Sequence, residues 1–98
     1  MEGKTLVAIK VLIPTPLRRF TNDQASALVD AATVGEALAA LDAQFPGIQA
    51  RICEPDGRIR RFVNVFVNGS DVRSLGGANA TIKDGDEIGI IPAMAGGQ

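Results

Sequence analysis

One stretch of the chain repeats with a helical period, and it lies between segments that alternate with a period of two. Val34, Leu38, Leu41 and Phe45 recur at spacings of four, three and four, which puts them on one stripe of a helix. Upstream, residues 5–13 read TLVAIKVLI, with Val7, Ile9, Val11 and Ile13 on one face of a strand and Leu6, Ala8, Lys10 and Leu12 on the other. Downstream, residues 60–68 read RRFVNVFVN, in which Val63, Val65 and Val67 alternate with Phe62, Asn64, Phe66 and Asn68. A sheet with one apolar face under a single helix satisfies both periods at once. The valine face is the better candidate for packing under that helix, because branched side chains suit a pleated core surface. At 98 residues the chain has room for one modest core and little for a deep pocket, so function is sought on the surface or at the ends.

Local signals place the remaining elements. Thr33 and Glu36 have capping-box spacing: the Thr33 hydroxyl can accept from the Glu36 amide while the Glu36 carboxylate reaches back to the Thr33 amide. A helix is expected to start there and to end at Pro46 and Gly47. Gly35 in its first turn lets a backbone or a partner come close. Pro14 and Pro16 stop the first strand, and after a loop rich in turn formers Ala27–Val29 fits a second strand, antiparallel to the first through a long hairpin. Residues 48–53 fit no single period, and residues 54–57 form a turn. Asn68-Gly69 is a turn dipeptide, after which Asp71-Val72 returns the chain briefly. Residues 75–82 read as a compact irregular loop with room for one helical turn. Asp84-Gly85-Asp86 turns tightly into a last strand, residues 87–92, carrying Ile88, Ile90 and Ile91. The β-branched first and last strands are expected to lie side by side at the centre, in parallel. The fold class is therefore α+β, a mixed sheet packed on one main helix, with a body at 1–92 and a tail at 93–98.

Composition removes several functions. Ten Lys and Arg against eleven Asp and Glu give a net charge of −1, which argues against nucleic acid as the main partner. No apolar run approaches a membrane span, and the start MEGKTLVAIK lacks a signal-peptide plan, so the expected location is cytoplasmic. With one cysteine and no histidine, neither an internal disulfide nor an ordinary zinc site or histidine acid/base pair can be built. No metal site and no permanently bound cofactor are expected. Cys53 is read as a buried structural thiol, since it has no base or second cysteine nearby in sequence. Asp84 and Asp86 read as turn formers, and Gly76-Gly77 as a backbone requirement without a phosphate-loop lysine.

The tail AMAGGQ carries no charge and no β-branched residue, so it cannot offset its own ordering and is expected to project as a flexible segment. Gly96-Gly97 lacks side chains, and an enzyme could enclose that backbone in a channel too narrow for other termini. On its own such a tail also suits a frayed chain end. It does not stand alone. IPTPLRRFT at 13–21, RFVNVFVNGSDVRSLGG at 61–77 and DGDEIGIIPAMAGG at 84–97 together resemble the ubiquitin-like sulfur carriers, the family of ThiS and the small subunit of molybdopterin synthase. The resemblance is strongest to the CysO-like branch, which supplies sulfur for cysteine biosynthesis.

The resemblance implies a β-grasp (ubiquitin-like) fold and a carrier rather than an enzyme. It implies that the Gly97 carboxylate is adenylated by an E1-like adenylyltransferase using Mg-ATP, and that a sulfur donor then displaces AMP to leave a thiocarboxylate. Ala95 and Gly96 would thread the activating site. Because Gln98 follows, the Gly97 carbonyl is held in a peptide bond, and the resemblance implies its release by a JAMM-type zinc metallopeptidase, unless Gln98 is a cloning remnant or the chain is cut short. The sulfur acceptor would be a PLP-dependent cysteine synthase or another enzyme, such as one making thiamine, molybdopterin or a natural product. A modifier conjugated to protein lysines through Gly97 is the alternative, and a passive interaction module a third. For the partner surface, Phe62 and Phe66 lie opposite the valines, where they either form an exposed interface or fill a second small core under residues 48–60. Leu12 and Ile90 join them if the registers align, and Arg18 and Arg61, with Arg19, Arg60 and Arg73, are candidates to frame the patch or are simply solvated.

Overall fold

The computed structural model describes residues 8–92; the expected start of the first strand at 5–7 and the expected tail with Ala95, Gly96, Gly97 and Gln98 lie outside the described residues. Five strands form one sheet: β1 Ile9–Leu12, β2 Ser26–Val29, β3 Val63–Val67, β4 Ser70–Asp71 and β5 Glu87–Pro92. Their order is β2-β1-β5-β3-β4. β1 runs parallel to β5 and antiparallel to β2, and β5 runs antiparallel to β3. The sheet is therefore mixed, with the two β-branched terminal strands adjacent, as their composition predicts.

The main helix, α1 Val34–Gln44, lies over one face of this sheet. Thr33 caps it by accepting from the Glu36 amide at 3.2 Å, but Glu36 does not close a box on Thr33: its carboxylate accepts from the Ala32 amide at 3.0 Å. Thr33 instead forms a bridge with Thr81. Val34, Ala37, Leu38 and Leu41 are fully buried, while Phe45, at the end of the stripe, is only partly covered. Beneath them lie Ile9, Val11, Val63, Val65, Val67, Ile88 and Ile90, all buried. The valine face of β3 is thus the core face. Gly35 admits a close neighbour, because a Cβ there would stand 3.1 Å from the Ala78 carbonyl oxygen.

The segment that fits no single period in sequence contains a one-turn helix, α2 Gln49–Ile52; its Ile52 and the preceding Ile48 are fully buried in the core. Short 3-10 helices occupy Thr15–Phe20, Val72–Leu75 and Gly77–Asn79. The first of these gives the long hairpin loop its shape. Leu17 is buried there, and the fully buried Thr21 hydroxyl donates to the Gln24 carbonyl at 2.9 Å. At the other end of the sheet Asn68 takes a left-handed φ of 51° and Gly69 one of 88°, the backbone that a two-residue hairpin turn between β3 and β4 requires.

Candidate functional site

The helix covers one face of the sheet, and the opposite face is open. Register fixes what that face presents. Ser26, Leu12, Gly89, Phe66 and Asp71 form one row across all five strands. Beside this row lie Leu28, Lys10 and Glu87 on one side and Asn64 and Ile91 on the other. Leu28 is 65% exposed, Phe62 58% and Ile91 55%. Leu12 and Phe66 are half-buried, and their side chains with Gly69, Glu87, Gly89 and Ile91 line a shallow hollow of about 340 Å³. Exposed apolar side chains grouped in this way are what a docking surface offers.

The sequence-based surface is brought together in part. Phe62, Phe66 and Leu12 lie outside the core, whose fringe is filled by Phe20, Ala40, Phe45 and Ile59. Ile90 does not belong with them: it is 3% exposed and registers with Val65 on the core face. The reason is the period of two. With Ile88 and Ile90 both inward, it is Ile91 that reaches the open face, and the same alternation against Ala27 and Val29 turns Leu28 outward.

The arginines divide between surface and structure. Arg61 is exposed and lies over the Phe62 ring, 5.2 Å from its centre. Arg18 is half-buried and its Nε donates to the Ile13 carbonyl at 3.0 Å, so it braces the chain leaving β1. Arg19 and Arg51 both lie over Phe20, at 5.2 and 5.4 Å. Arg60 donates to the Ala50 carbonyl and pairs with Glu54 at 3.1 Å, and Arg73 is fixed by the Arg60 and Val63 carbonyls. Arg60 and Arg73 are therefore fastenings of the loop entering β3.

The reactive groups are few. Cys53 is 5% exposed and bridges to Ile59, and burial pushes its thiol up from the ordinary value against the opposing pull of Arg60. A thiol held protonated and covered is a poor nucleophile. Asp84 and Asp86 are turn formers: Asp84 accepts from the Ala8 amide, and Asp86 from the Lys83 amide and the Asn68 side chain. Among the described residues no group of three or more potential ligands could hold a metal ion, and no helix is long and apolar enough to cross a membrane.

The model of the ThiS family matches residues 11–97. The chain is 43% identical over 91 residues to the sulfur carrier protein CysO of Mycobacterium tuberculosis, covering 91% of this chain and 98% of that one. It is 41% identical over 68 residues to small archaeal modifier protein 3 of Haloferax volcanii, covering 69% of this chain and 73% of that one. Among solved structures, one from the Amycolatopsis orientalis BexX/CysO complex superposes with a TM-score of 0.87 at 42% identity, over 90% of this chain and 98% of that one. Mycobacterium tuberculosis CysO gives 0.83 at 41% identity, over 87% and 98%. The fold is the β-grasp, ubiquitin-like fold.

Proposed function

The chain belongs to the ThiS family, and from that premise we propose that it is a sulfur carrier that works through the carboxylate of Gly97. The observation that carries this reading is the likeness to CysO over nearly the whole of both chains. The family match also runs to Gly97 and stops one residue short of Gln98. In this reading a JAMM-type zinc metallopeptidase first hydrolyses the Gly97–Gln98 bond. An E1-like enzyme then transfers AMP from Mg-ATP to the freed carboxylate, releasing pyrophosphate. A free carboxylate is a poor electrophile, and the acyl phosphate supplies the leaving group that a sulfur donor displaces. The resulting thiocarboxylate is a nucleophile on a slender arm, with Ala95 and Gly96 threading the partner's channel.

The body contributes recognition. The open sheet face with Phe66, Leu12 and Ile91 is the surface on which partners dock, together with the exposed Phe62 and Arg61 in the turn that enters β3. The sulfur acceptor is proposed to be a PLP-dependent cysteine synthase in the cytoplasm, with a natural-product enzyme as competitor; that a CysO occurs in complex with BexX supports docking of such a body on another protein. A second reading, a modifier conjugated through Gly97, is supported by the likeness to small archaeal modifier protein 3. Both use the same activation and differ in what attacks it. Intact mass of the protein from its native cell separates them. Loss of about 128 Da with a gain of about 16 Da marks Gln98 removed and oxygen replaced by sulfur, a change outside composition. Adducts to cellular proteins instead favour the modifier, and a uniform mass with Gln98 attached in sulfur-limited cells overturns both.

A further inference from the structure

Among the described glycines, Gly89 is the one that the chain's own geometry does not require. Every other has a left-handed φ, except Gly35, which faces the Ala78 carbonyl at close range. Gly89 lies in β5, the central strand, with φ outside the left-handed region, and a Cβ built on it meets nothing within 4 Å. A glycine inside a strand weakens it, because it adds chain entropy to lose and no side chain to pack. An aromatic residue across the ladder can compensate by lying over such a glycine. Phe66 is the register partner of Gly89, yet the space above the glycine is open. The sheet therefore carries a local cost with no return inside the domain.

We propose that the hollow over Gly89 is a socket for one bulky apolar side chain of the enzyme that activates the C-terminus, and that the missing side chain at 89 determines which partner fits. This rests on the carrier reading and deepens it. The walls of the socket are Leu12, Phe66 and Ile91, and Glu87 gives it an acidic lip, so the matching group is a large aliphatic or aromatic side chain with a basic neighbour. The occupant follows from continuity of the chain. β5 carries Gly89 and leads to Gly97 eight residues later, a reach of at most about 27 Å even when fully extended. An enzyme that holds Gly97 in its active site thus has the socket within the span of the same contact surface. Apolar anchors seated in such pockets dominate the energetics of interfaces.

The test is the affinity of the full 98-residue chain for the E1-like adenylyltransferase of the same organism, measured by calorimetry for wild type, Gly89→Ala and Gly89→Leu. Filling the socket with leucine is expected to raise Kd roughly 30-fold, the effect of losing an anchor, with alanine intermediate. The melting temperature of both variants should be unchanged or higher, because the site is open and the strand gains a side chain. Wild-type affinity for Gly89→Leu, or an unfolded Gly89→Ala, overturns the socket. ATP–pyrophosphate exchange with chain lacking Gln98 tests the underlying reading separately: exchange with unchanged Kd for Gly89→Leu sinks the socket alone, whereas neither binding nor exchange by wild type sinks both. Sedimentation of the free chain covers the remaining occupant. A wild-type dimer that Gly89→Leu converts to monomer assigns the hollow to a second copy and overturns the proposal.

Discussion

Arg73→Met should destabilise the domain well beyond an ordinary surface substitution. The Arg73 guanidinium donates to the Val63 carbonyl at 2.8 Å, the Arg60 carbonyl at 3.0 Å and Asn64 Oδ1 at 3.1 Å. Those bonds join the turn after β4 to the segment entering β3. Methionine keeps much of the aliphatic stem and removes every donor. The bond to the partly buried Val63 carbonyl is a charged-donor bond of about 1.5 kcal/mol, and the two at the surface are about 0.5 kcal/mol each, so the loss is about 2.5 kcal/mol. For a domain of this size the melting temperature should fall by about 10–20 °C. Urea unfolding with an unchanged slope reads the same loss in the midpoint. Arg73→Lys should recover little, because an ammonium cannot match a planar fork against three acceptors. A loss under about 0.5 kcal/mol for Arg73→Met would refute the reasoning, showing that water replaces the guanidinium at all three acceptors.

Two further outcomes follow from groups buried by the turns. Asp86 is 8% exposed, and the Asn68 side chain, with the Lys83 amide, holds its carboxyl below the usual carboxylate range. A depressed folded value means that its contribution is present above the unfolded pKa of about 4 and is lost as pH falls through the folded one, so Asp86→Asn should flatten that acid limb in urea midpoints taken from about pH 6 to 2. Superimposable limbs would assign the acid sensitivity to another carboxylate. Cys53 should react with a thiol reagent at pH 7.5 at least about 100-fold more slowly in the native chain than in urea, and Cys53→Ser should cost about 1–2 kcal/mol without affecting sulfur transfer; fast native labelling would contradict its burial.

The legible parts of the fold were those with a strong local period. The valines of β3, the helix stripe and the parallel pairing of the terminal strands all follow from apolar spacing that one covered sheet face can satisfy. Less legible was anything decided by tertiary partners. Glu36 has the spacing for a box on Thr33, yet Thr33 pairs with Thr81, far along the chain, and the carboxylate takes the Ala32 amide instead. Arg60 and Arg73 look like free surface charge in sequence because their acceptors are backbone carbonyls, which leave no trace in residue identity. Ile90 takes the core face for a reason the sequence pattern hides. Three isoleucines in four positions hide the phase of a strand, and the phase follows only once Ile88 is fixed inward. Gly89 carried no signal at all, since its meaning depends on the empty space above it.

The central position of β5 has a mechanical consequence. Any enzyme that draws the chain beyond Pro92 into a narrow channel pulls along the axis of the central strand, which is hydrogen-bonded on both sides, to β1 and to β3. Load applied in that direction shears two ladders together, whereas the same load on an edge strand such as β2 would bear on a single ladder. The body is built to withstand traction at the end of β5, so a chain gripped beyond Pro92 can be held firmly without unravelling the domain.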